Sequence, residues 1–140
     1  MDSVQLTDSI AVSAQISVDD ISQIAAAGYK VLINNRPDGE ENAQPTSALI
    51  AAAAAAAGME YHYLPVTAVS FPGPNLDDIR NLFDDPKRPV FAFCRSGTRC
   101  ANLWVAGFVS TDCENAIHVA GQRGFDLAMA LKFIAHAEQG

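Results

Sequence analysis

Short apolar, β-branched runs alternate along the chain with longer stretches of helical spacing. That alternation predicts an α/β fold built on a mostly parallel sheet flanked by helices. Residues 10–16 alternate apolar and small polar side chains, as a short edge strand does. Ser17 and Asp20 predict a helix start, Ile21, Ile24 and Ala25 give its spacing, and Gly28 its stop. Residues 29–34 and 89–93 are continuously apolar and bounded by turn residues, the pattern of buried parallel strands. Thr46 to Ala57 is nearly all alanine, which predicts a helix that lies close against a sheet. A strand is expected over 61–66 and a loop over 67–75. Further helices are expected over 76–84, from about Cys100 to Val109, after Asp112 and over 125–137.

Composition narrows the class. The 140 residues suit one domain, with 49% hydrophobic and 18% charged side chains, enough to bury a core. Nine basic residues against sixteen acidic ones, a formal charge of −7, argue against nucleic acid as a partner. The longest apolar stretch, at 48–57, is too short to span a membrane. The first residues lack the basic start and apolar run of a signal peptide, so the chain reads as cytoplasmic. Three cysteines cannot all pair with one another, and their spacing fits no zinc pattern. Free thiols are therefore expected, with no metal and no cofactor.

One of those thiols stands in a special place. Cys94 leaves a buried strand and the chain turns at once, through Arg95-Ser96-Gly97-Thr98-Arg99, into a helix. Backbone N–H groups of residues 95–98 around such a turn form an anion nest, and the helix N-terminus adds partial positive charge. Arg99 closes the loop with a planar fork for an oxyanion, Arg95 adds charge, and Gly97 lets the backbone bend. These features favour thiolate over thiol, so Cys94 is expected to be a nucleophile. The plain alternative is an inert core cysteine, which rarely sits between two arginines. Cys100 is expected to face the sheet in a packing role, with a redox pairing to Cys94 as its alternative; Cys113 is expected to be structural.

The loop resembles two related sets of cysteine enzymes. Protein tyrosine and dual-specificity phosphatases carry Cys-x-x-Gly-x-x-Arg, and rhodanese sulfurtransferases carry Cys-x-x-Gly-x-Arg. More widely, Ile33 to Glu40, Tyr61 to Val66, Cys94 to Arg99 and Ala120 to Phe125 resemble the bacterial beta-lactamase-hydrolase-like, phosphatase-like domain family. The resemblance implies a dual-specificity phosphatase-like fold. Fusion of some members to sulfide-oxidising enzymes suggests sulfur metabolism and such enzymes as partners. The chain lacks a metallo-hydrolase H-x-H-x-D-H signature and is read as the stand-alone domain.

Counting favours sulfur transfer over phosphate hydrolysis. Arg99 lies five residues after Cys94, the rhodanese spacing, where a phosphatase has six. Phe93 replaces the phosphatase histidine, and Cys100 replaces a hydroxyl residue. The loop at 67–75 holds no acid to protonate an alkoxide leaving group, whereas sulfur transfer needs none. The expected reaction passes sulfur from a small anionic donor through a Cys94 persulfide. The alternatives are a phosphatase acting on a phosphoester through phosphocysteine, and an anion-binding module without turnover.

Other residues carry two readings each. Arg36 is a candidate rim contact for an anionic substrate. Asp38 and Glu40 are candidates for an acid or for partners of Arg36 or Arg95, against the plain reading of 35–39 as a tight turn. Arg123 either approaches the active loop or sits in a helix–helix turn. His62 is expected to be packed in a strand, His118 and His136 to be at the surface, and Trp104 to be in the core.

Overall fold

A computed structural model describes residues 3–108 and 113–139. Five strands form one sheet: β1 (Ser3–Thr7), β2 (Ile10–Ser13), β3 (Val31–Asn34), β4 (Glu60–Tyr63) and β5 (Val90–Phe93), in the order β1-β2-β5-β3-β4. All neighbours are parallel except β1 and β2. The helices are α1 (Asp20–Ala26), α2 (Ser47–Ala56), α3 (Leu76–Phe83), α4 (Thr98–Ala106), α5 (Cys113–Gln122) and α6 (Ala128–Gln139). The α/β expectation holds. The expected edge strand does not: β2 is internal, hydrogen-bonded to β5 on one side, and β1 takes the edge. The sequence of β1, Ser-Val-Gln-Leu-Thr, does alternate, a strand signal at the chain's start that the expected elements leave out. The residue expected to start α5, Asp112, lies outside the described residues.

Period-two alternation sorts the buried strands onto two cores. Ile10, Val12, Val31, Ile33, Val90 and Ala92 face one side, among Ile79, Leu103, Trp104 and Ile134 of α3, α4 and α6. Ala11, Leu32, Phe91 and Phe93 face the other, against Ile21 and Ile24 of α1 and Ile50 and Ala54 of α2. Both faces being covered, these strands read as unbroken apolar runs. Of the alanine run, only Ala54 is buried in that core, with Ala53 and Ala57 packed against it, while Ala52, Ala55 and Ala56 are exposed; the expected close packing is confined to one face. The Ser17–Asp20 pairing is also present as reciprocal hydrogen bonds, Ser17 N–H to Asp20 Oδ2 at 2.9 Å and Asp20 N–H to Ser17 Oγ at 3.3 Å.

Register positions the site. Ser13, Phe93, Asn34 and Tyr63 lie in one row across β2, β5, β3 and β4. The parallel strands therefore end together, and the segments that follow them converge at one edge, where ligands bind in open α/β sheets. Cys94 continues the alternation of Val90 and Ala92, which turns its side chain to the α4 side. Among the described residues, no helix is long and apolar enough to cross a membrane.

Candidate active site

Cys94 is the first residue beyond β5 and is buried. Its N–H donates to Ser13 O, which fixes the start of the loop on β2. Gly97 caps α4 at φ +88°, a left-handed conformation that costs other residues energy. A Cβ there would meet Ser13 C at 3.4 Å and the Phe125 ring at 3.5 Å. With that bend, the Gly97 N–H points back to Cys94 Sγ at 3.1 Å.

The sulfur is held as a thiolate. Its pKa falls from 9.0 to about 6, foremost because the Cys100 thiol hydrogen-bonds to it. Burial opposes that fall, and the N–H groups of Cys100, Ser96 and Arg99 add to it. The packing role expected for Cys100 is thus incomplete. Its thiol occupies the place where the phosphatase pattern has a hydroxyl, and its own pKa is raised by burial and by Cys94. The rate of Cys94 alkylation by iodoacetamide should accordingly be half-maximal near pH 6 and rise above it. Cys100→Ala should move that midpoint upward, and Cys100→Ser should restore most of the shift. Equal midpoints in all three proteins would remove Cys100 from this role.

Arg99 is aimed by two partners. Its Nη1 donates to Val66 O at 3.1 Å and its Nη2 to Glu40 Oε1 at 2.8 Å. The same Glu40 oxygen accepts from Arg36 Nε at 2.9 Å. The Arg99 hydrogen bond foremost, against burial and helped by Arg36, lowers the pKa of Glu40 below its ordinary value. Glu40 is therefore ionised at neutral pH, and of its two readings the pairing with Arg36 is the one present, joined by Arg99: it positions a guanidinium and is not a proton donor. Asp38 is corrected too. Its carboxylate accepts from Ser47 N–H at the start of α2, at 2.8 Å, and faces that helix rather than the loop.

Arg36 is buried, its N–H donating to Asn34 Oδ1 at 2.9 Å in a tight turn, as the plain reading of 35–39 expects. The Arg95 side chain swings outward to Glu41 at 2.8 Å, so within the cradle it supplies backbone and not its guanidinium. Ser96 Oγ donates to Thr98 Oγ1 at 3.0 Å and stiffens the turn. Arg123 donates to Gln5 O on β1, in the helix–helix turn reading. His62 pairs with Glu60 beside it, while His118 and His136 are exposed. Glu41, Gln15 and the Val66 carbonyl were not marked by sequence reasoning. They follow neighbouring strands, and only strand adjacency brings them to the loop.

The match to the family described as Beta-lactamase hydrolase-like protein, phosphatase-like domain covers residues 2–111. A Beta-lactamase hydrolase-like protein of Agrobacterium fabrum is 31% identical over 96% of this chain. The chain spans about a third of the length of that relative, 32%. The crystal structure of a candidate phosphatase from Neisseria meningitidis superposes with TM-score 0.79 at 33% identity, covering 96% of each chain. PTPMT1 in complex with PI(5)P superposes with TM-score 0.71 at 14% identity, covering 99% of each chain, a likeness of fold. The fold is thus that of protein tyrosine and dual-specificity phosphatases, as expected. These likenesses support the phosphatase alternative and give none to sulfur transfer.

Proposed function

The chain belongs to the beta-lactamase hydrolase-like, phosphatase-like domain family, and from that premise we propose that it is a cysteine-dependent phosphatase working through a Cys94 phosphocysteine. The observation that carries this reading is a buried Cys94 thiolate in the same short loop as the Arg99 guanidinium, which Glu40 and Val66 hold in place and whose charge Cys94 stabilises. The thiolate attacks phosphorus and an S–P bond forms as the P–O bond to the leaving group breaks. The loop N–H groups and Arg99 take up the charge on the equatorial oxygens. Water then attacks phosphorus, releasing inorganic phosphate and restoring the thiolate.

Leaving-group chemistry follows from the missing acid. The segment 67–75 carries no carboxylate, and Glu40 is ionised between two arginines. Leaving groups that depart as stable anions are therefore the expected substrates: aryl and acyl phosphates or phosphoanhydrides. Loss of general-acid help costs about 10²–10⁴-fold in rate. Across a series of aryl phosphates, kcat/KM should fall steeply as the leaving phenol becomes less acidic. A flat series would mean that a proton donor is present. Acid quench during turnover of the most activated ester, followed by peptide mass analysis, should find one phosphoryl group on Cys94. Absence of that adduct under burst conditions would overturn the reading.

One observation favours a second reading. The five-residue spacing of Cys94 and Arg99 is that of sulfurtransferases, and such a cradle suits a persulfide. Under that reading a small anionic sulfur donor is the substrate and sulfide-oxidising enzymes are the partners. Sulfur added to Cys94 by thiosulfate and removed by cyanide as thiocyanate would support it.

A further inference from the structure

Three guanidiniums meet beside the Cys94 loop, and one is unusual in its partners. Arg36 has a side chain only 3% exposed. Its Nε donates to Glu40 and its Nη1 to Gln15 Oε1, both at 2.9 Å. Its Nη2 makes no hydrogen bond and has only an ion pair to Glu41 Oε1 at 3.4 Å. A buried charged donor left unmade is costly, and proteins rarely retain one without a use for it. The same Glu41 oxygen takes Arg95 Nη2 at 2.8 Å, and both of these side chains reach solvent, Arg95 at 65% exposed. One mobile-length carboxylate thus bridges a buried and an exposed guanidinium. Glu40, shared by Arg36 and Arg99, joins this bridge to the anion cradle.

We propose that Arg36 and Arg95 form a second anion subsite, which Glu41 fills when substrate is absent, and that the substrate carries a second anionic group beside the phosphoryl group to be transferred. This rests on the phosphatase reading and names its substrate class: compact molecules with two neighbouring anionic groups, such as phosphoanhydrides or phosphorylated carboxylic acids. A carboxylate on a flexible arm can leave with little loss, since Glu41 lies half in solvent. An incoming phosphate or carboxylate would then take the place of Glu41 at the Nη2 of Arg36 and on the fork of Arg95. Guanidinium planes suit such two-oxygen contacts. An anhydride leaving group also needs no proton, so the subsite and the missing acid select the same substrates.

The test reads binding at Cys94 without requiring turnover. Iodoacetamide alkylation is followed by mass analysis in the presence of inorganic phosphate or of methylenediphosphonate, which cannot be hydrolysed. The expected result is half-protection by the diphosphonate at a concentration about tenfold or more below that of phosphate, the scale of one added charge-assisted contact. Arg95→Ala should shrink that ratio toward one. Glu41→Gln should widen it several-fold by removing the competing carboxylate. Both positions are at the surface, so both variants should fold. Equal protection by the two anions, or a ratio that neither substitution moves, overturns the second subsite and leaves the phosphatase reading standing. Protection by neither anion overturns the anion cradle itself, and the subsite with it.

Discussion

Cys94→Ser should abolish hydrolysis of an activated aryl phosphate, by at least about 10⁴-fold in kcat, because removing a covalent nucleophile costs the whole route through the intermediate. Acidity is the cause. Cys94 is ionised near neutrality because Cys100, Gly97 and the first-turn N–H groups of α4 all donate to its sulfur. A serine hydroxyl starts far less acidic than a thiol, and the same donors leave it protonated at pH 7. The fold should not suffer, since the oxygen is smaller than sulfur and can still accept from Gly97. The anion cradle should also survive, because Arg99 and its partners Glu40 and Val66 do not depend on the sulfur. Thermal melting, phosphate binding by calorimetry and turnover measured together separate three outcomes. Binding kept and turnover lost is the expected one. Turnover unchanged would mean that another group attacks phosphorus. Binding kept in both proteins, with no turnover in either, would make the chain an anion-binding module.

What the sequence reveals and what it hides divide along contact range. The loop 94–99 is legible because strand end, nest, glycine and helix start are consecutive in the chain. The buried strands β3 and β5 are legible for the same reason, each being one short apolar run. The partners of Arg99 are not. Glu40 lies 59 residues away from it in sequence, and only the pairing of β3 with β5 makes the two neighbours. The turn at 35–39 was readable as a turn, but which acid would face the loop was not. Asp38 is drawn to the open N–H groups of α2, and Glu40 and Glu41 are left to the arginines. Cys100 hid its role because a residue's contact with the turn before its helix depends on how tightly that turn winds. Here the third residue of α4 comes against the sulfur, in the place of the phosphatase hydroxyl.

Asn102 gave no signal in sequence and carries the second large prediction: Asn102→Ala should destabilise the protein by about 2–4 kcal/mol, from one buried N–H left unpaired at about 1–3 kcal/mol and two part-buried carbonyls that each lose a donor. The residue is fully buried in the middle of α4. Its Nδ2 donates to Thr98 O at 2.8 Å and to Asp126 O at 2.9 Å. Its Oδ1 accepts from Ala130 N–H at 2.9 Å. Ala130 belongs to the first turn of α6, whose N–H groups have no partner within the helix. A side chain of α4 therefore completes the start of α6, while Asp126 Oδ1 accepts from Ala128 N–H at 2.9 Å. Alanine strands the buried Ala130 N–H and removes a donor from the part-buried Asp126 carbonyl. Equilibrium unfolding in urea should show a lower midpoint with little change in slope. Asn102→Asp divides the effect, because a carboxylate can still take the Ala130 N–H but meets two carbonyl oxygens where the amide donated. It should be at least as damaging as alanine, because the kept Ala130 contact does not offset a buried carboxylate facing two carbonyl oxygens. The loss should reach the active loop as well. Phe125, in the segment between α5 and α6, lies over Gly97. Once that segment loosens, the bend that aims the Gly97 N–H at Cys94 should relax. The alkylation midpoint of Cys94 should then rise in both variants, under conditions where they remain folded. A midpoint that stays near pH 6 while stability falls would confine Asn102 to holding two helices together.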